Sequence, residues 1–167
     1  MKIGVFKKKL KGKIVIVGIG NTLRGDDGAG PELIRRLKNF QLPTSNSKLL
    51  LIDAGSVPEN FLQKIAGHKP NVILLVDTVN LGKPAGSVEI IEGENLKEGG
   101  FSTHNASLKL TIEYLRKETK AEVLLLGIQP KNIGFGQRIS PEVEKSINSV
   151  ITFLSLSLNI PMRGKFL

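Results

Sequence analysis

Cysteine is absent from the 167-residue chain, which removes disulfides, thiolate metal ligands and any cysteine nucleophile. Histidine is scarce. With only two, His68 and His104, a metal site would have to lean on carboxylates. There is no tryptophan and one tyrosine, so a platform for stacking bases is poorly supplied. No apolar run approaches the roughly 18 residues a membrane-spanning helix needs. The basic start, MKIGVFKKK, lacks the apolar centre and small-residue cleavage site of a secretory signal, so the cytoplasm is the expected compartment.

What is present is a 40% apolar chain, long enough for one domain with a sizeable core and too short for two comfortable ones. Its formal charge of +9 suits long-range attraction to acidic partners. The lysines and arginines are dispersed, however, and densest at residues 7–13. A solvated basic surface is the simpler reading, and nucleic acid is not an expected partner. Residues 1–12 read as a basic extension, an added edge element at most. Residues 13–160 read as a single catalytic domain, and 161–167 as a loosely held tail.

Residues 13–18 (KIVIVG), 48–53 (KLLLID), 71–77 (NVILLVD) and 122–128 (EVLLLGI) are apolar runs without alternation, as expected of strands buried on both faces. Residues 87–91 (SVEII) alternate and fit an exposed edge strand. Between them, Leu33, Ile34 and Leu37 form a helical stripe after Pro31, and a short helix starts at Pro58. Leu108, Ile112 and Leu115 mark another helix, and Ser140-Pro141 opens a last one. The alternation of strands and helices predicts a three-layer α/β/α sandwich with a mostly parallel five-stranded sheet.

Gly18-Ile19-Gly20 after the first strand invites a dinucleotide reading, but position 23 is Leu, not glycine. Asp53, the acid ending the second strand, lies beyond the expected spacing of about 20 residues. Asp26 and Asp27 would also repel a pyrophosphate. The glycines at 20, 25, 28 and 30 serve better to hold those two acids ahead of a helix, whose free N–H groups keep a carboxylate ionised.

Ligands of open α/β sheets gather beyond the carboxyl ends of the strands. There Asp27 follows strand one, Asp77 ends strand three, and His104 precedes a helix. Two oxygens and an imidazole make a donor set acceptable to nickel or zinc. Spacing alone does not choose Asp27 over Asp26, or Asp77 over Asp53. His68 reads as an ordinary exposed loop residue. The rivals are a non-catalytic metal-binding accessory protein and a nucleotide-binding enzyme.

The stretches GIGN (18–21), GDDGAGP (25–31), DAGSVPEN (53–60), VD (76–77), THN (103–105) and LGIQP (126–130) together resemble the hydrogenase maturation endopeptidases. The likeness is greatest to the branch that processes the large subunit of the formate-hydrogenlyase hydrogenase. The resemblance implies a twisted, mostly parallel five-stranded sheet and a metal-dependent endopeptidase. By that likeness Asp27, Asp77 and His104 are both metal-binding and catalytic, and nickel arrives with the substrate. Relatives with glutamate at the first position make Asp27, one methylene shorter, a departure from their branch. The implied substrate is the [NiFe]-hydrogenase large-subunit precursor, which loses its carboxyl-terminal extension after nickel insertion. Maturation chaperones are further partners, with no membrane insertion and a monomeric enzyme expected. The general base is left open among Asp26, Asp27 and Asp77. Gln129-Pro130 either lines the substrate groove or simply forms a turn. The self-sufficient zinc motif His-Glu-x-x-His is absent.

Overall fold

Apolar runs that cannot expose either face must be covered twice, and the fold does this with helices on both sides of one sheet. A computed structural model describes residues 3–40, 48–92 and 105–161. The order is α1 (Ile3–Lys9), β1 (Ile14–Ile19), α2 (Ala29–Asn39), β2 (Leu49–Gly55), α3 (Leu62–Gly67), β3 (Val72–Thr78), β4 (Val88–Glu92), α4 (Asn105–Glu118), β5 (Glu122–Ile128) and α5 (Pro141–Ser157). The sheet runs β2-β1-β3-β5-β4, parallel except for β4, which pairs antiparallel with β5 at the edge. This is the expected α/β sandwich, and the alternating strand is the expected edge.

Successive strand residues point to opposite faces. Ile14, Ile16, Leu74, Val76, Leu124 and Leu126 therefore pack with α1, α2 and α5. Val15, Val17, Ile73, Leu75, Val123 and Leu125 pack with α3 and α4. Ser140 caps α5, its hydroxyl accepting from the Val143 amide at 3.5 Å. Between α2 and α5 lies a partly buried ion network. Arg36 donates to Glu32 at 2.6 Å, Asn148 at 2.8 Å and Glu144 at 2.5 Å, while Arg35 also holds Glu32.

Two expectations need correction. The basic leader is not an edge element; it forms α1 and packs on the α2/α5 face. Phe6 and Leu10, one helical turn apart, are buried there, and Phe6 stacks on Phe153 with centroids 5.3 Å apart. Burying one such phenylalanine contributes about 2 kcal/mol toward holding a lysine-rich segment on the domain. Lys9 then reaches Glu92 and Glu122 on β4 and β5. Residues before 13 thus pack onto the α/β domain.

His68, expected in an exposed loop, is half-buried at the end of α3 because its amide folds back onto Ile65 O at 3.2 Å. Among the described residues no helix is long and apolar enough to cross a membrane.

Candidate active site

β1 and β3 are neighbours, and from them the chain leaves toward opposite edges of the sheet. Such a reversal of strand order opens a crevice at the carboxyl ends. The turn after β1 is pressed into that crevice. Gly30, in the first turn of α2, sits so close to the strands that a Cβ there would meet Ile19 O at 2.4 Å and Val76 O at 2.5 Å. Gly20 adopts φ +139°, and a Cβ on it would meet Asp27 O at 1.8 Å. Side chains at either place would push the turn off the sheet. Residues Gly25–Gly28 consequently form a buried 3-10 turn running straight into α2.

That turn brings Asp27 to the end of β3. Asp27 is 2% exposed, and Asp77 and Thr78 are fully buried. The Thr78 hydroxyl donates to Asp27 Oδ1 at 3.1 Å, and the Thr78 amide donates to Asp77 Oδ1 at 2.8 Å. The Asn21 amide donates to Asp27 Oδ2 at 3.0 Å. Two carboxylates 50 positions apart in sequence therefore share one threonine. Thr78 was missed by the sequence reading, although a hydroxyl directly after a strand-ending acid was the available signal.

Asp26, held open as a general base, has a different occupation. It is fully buried, and both oxygens are taken. The amides of Lys131 and Asn132 donate to Oδ2 at 2.8 and 2.9 Å, the Ser140 hydroxyl donates to Oδ2 at 3.0 Å, and the Ser140 amide donates to Oδ1 at 2.6 Å. Four donors thus occupy both oxygens of the side chain. Asp26 is a clamp joining the glycine turn to the β5–α5 loop, and the Asp26 amide completes it by donating to Asn132 O at 2.9 Å.

Asp53, the rival of Asp77, lies on the edge strand β2, exposed, with its carboxylate accepting from the Gly55 amide at 3.1 Å. It stands two strands, about 10 Å, from β3. Gln129 braces the loop between β3 and β4, its Oε1 accepting from the Leu81 amide at 2.6 Å. His104 lies outside the described residues. Among the described residues no three His, Cys, Asp or Glu side chains gather in a metal-holding group. Of the three expected donors, Asp27 and Asp77 lie together beside Thr78.

The family model HycI, described as hydrogenase maturation protease, matches residues 31–155. A putative hydrogenase maturation protease of Methanocaldococcus jannaschii is 40% identical over 146 residues, covering 85% of this chain and 86% of the relative. The hydrogenase 3 maturation protease of Escherichia coli is 36% identical over 137 residues, covering 81% and 85%. The crystal structure of the [NiFe] hydrogenase maturation protease HycI from Thermococcus kodakarensis superposes with a TM-score of 0.82 at 30% identity, over 93% of this chain and 99% of that one. An extended sequence match and a shared architecture thus agree, and the chain belongs to the hydrogenase maturation protease family.

Proposed function

We propose that the protein is an endopeptidase that removes the carboxyl-terminal extension of a [NiFe]-hydrogenase large-subunit precursor already carrying nickel. The observation that carries this reading is the pairing of buried Asp27 and Asp77 through Thr78 at the switch point of the sheet. Two acids and His104 would approach the precursor's own nickel site, so the enzyme is complete only when the proper substrate docks. That dependence keeps the paired acids from attacking other proteins.

Nickel held by the precursor supplies Lewis-acid polarisation beside the scissile bond and lowers the pKa of a nearby water. Asp27 and Asp77 orient that centre through carboxylate oxygens, and the Thr78 hydroxyl fixes the rotamer of Asp27. With Asp26 engaged by four donors, the proton of the attacking water falls to Asp27 or Asp77. His104 completes the donor set. The reaction belongs in the cytoplasm, with the enzyme acting as a monomer on a precursor delivered by its maturation chaperones.

The test is incubation of the purified protein with nickel-loaded and nickel-free precursor, followed by mass spectrometry. Shortening of the loaded form alone is expected. Equal cleavage of both forms, or of neither, refutes the reading.

A further inference from the structure

The glycine turn and the β5–α5 loop meet in a second way, on the outer side of the site. The Gly136 amide donates to Leu23 O at 2.8 Å. This bond sets Leu23 and Phe135 on one corner, and both side chains face solvent, at 60% and 75% exposure. Nothing in the core requires a leucine or a phenylalanine at these two places.

The corner is rigid. Gly25 has φ +55°, and a Cβ on it would meet Asn132 O at 2.6 Å, so the loops are in backbone contact. The Gly134 amide donates to Asn132 Oδ1 at 2.7 Å, and the Asp26 clamp lies beneath. An aromatic ring held out on a braced loop loses little conformational freedom when a partner covers it. The corner is also coupled to the acids. The Leu23 amide donates to Asn21 Oδ1 at 2.9 Å, and the Asn21 amide donates to Asp27 Oδ2 at 3.0 Å.

Its charge is of one sign. Arg24 and Arg138 are exposed and make no ion pair among the described residues, whereas Lys131 is neutralised by Glu142 at 2.7 Å. A shallow groove of about 650 Å³ runs along the loop, lined by Lys131, Gln137, Arg138 and Pro141 among others.

We propose that Leu23, Phe135, Arg24 and Arg138 form the docking surface for the extended precursor segment flanking the cleaved bond, a segment carrying one apolar and one acidic side chain. The apolar group covers Leu23 and Phe135, and the carboxylate meets the two arginines. This assignment rests on the protease reading for the identity of the partner, and binding can be measured apart from cleavage.

The experiment measures the Kd of immobilised nickel-loaded precursor for the wild type, Leu23→Ser/Phe135→Ser and Arg24→Glu/Arg138→Glu, with cleavage followed in parallel. Both double variants should bind about tenfold or more weakly. The wild-type Kd should also rise with salt, and this dependence should flatten in the arginine variant. Phe135→Leu should retain most of the affinity. Melting temperatures should not move, since these side chains are exposed. Kd values within twofold of wild type overturn the proposal, as does a wild type that binds no precursor. Self-association of the wild type that the Leu23/Phe135 variant loses also overturns it, assigning the corner to a second copy. A wild type that binds through this corner yet never cleaves supports the docking surface and removes the protease reading. Cleavage with undiminished binding by the variants does the reverse.

Discussion

Asp26 and Ser140 bond twice across 114 positions of sequence, through the serine amide at 2.6 Å and its hydroxyl at 3.0 Å. The neighbouring Asp27 turns the other way, to Thr78. A 3-10 turn of four residues thus sends two adjacent acids to different partners, one to the β5–α5 loop and one to the end of β3.

Asp26→Ala should leave the amides of Lys131, Asn132 and Ser140 without their acceptor and lower stability by about 3 kcal/mol. Asp26→Asn should cost less, because one carbonyl oxygen still accepts. Urea denaturation followed by circular dichroism checks both values. An unchanged midpoint for the alanine variant would show that the clamp carries no stability.

Thr78→Val keeps the branched shape but removes the donor to Asp27. Cleavage of nickel-loaded precursor should fall about tenfold, equivalent to about 1.4 kcal/mol in the transition state. Thr78→Ser should retain most of the rate. Equal kcat/KM for valine and serine variants would mean that the hydroxyl does not position the carboxylate.

Asp27→Asn, Asp77→Asn and His104→Ala should each abolish processing. The circular-dichroism spectrum of the histidine variant should match the wild type. Wild-type processing by His104→Ala would remove the imidazole from the reaction and leave the two acids to act without it.

The Arg35 guanidinium, assisted by Arg36, holds Glu32 below the ordinary carboxylate value of 4.5. A folded-state pKa below the unfolded one contributes stability above the unfolded value, and that stability is lost as pH falls through the folded value. Arg36→Gln should therefore destabilise by about 1 kcal/mol at neutral pH, a figure reduced by the partial exposure of the network. The deficit relative to wild type should shrink below about pH 4. Urea titrations at pH 7 and pH 3 measure it; an equal deficit at both would assign the loss to packing of the arginine stem.

Much of the fold was legible because unbroken β-branched and leucine runs admit few placements other than a doubly covered strand. Ser140-Pro141 announced α5 by local chemistry alone, and the alternation in residues 87–91 announced the edge. The leader was misread because three consecutive lysines mask the single turn that separates Phe6 from Leu10. The carboxylates were legible as types and not as individuals. Asp26 and Asp27 share a dipeptide, and what distinguishes them is a set of backbone N–H donors at 131, 132 and 140, which any side chain could accompany. Asp53 looked equivalent to Asp77 until the strand order set it at the edge.

The clamp also bears on the order of assembly. Contacts between residues so remote in the chain close late, because the intervening loop entropy must be overcome first. During synthesis the full set of donors that seat Asp26 is not complete until residue 140 has emerged, by which time all five strands have been made. A nascent or truncated chain thus lacks the complete fastening of its acidic turn, which is finished only together with the domain.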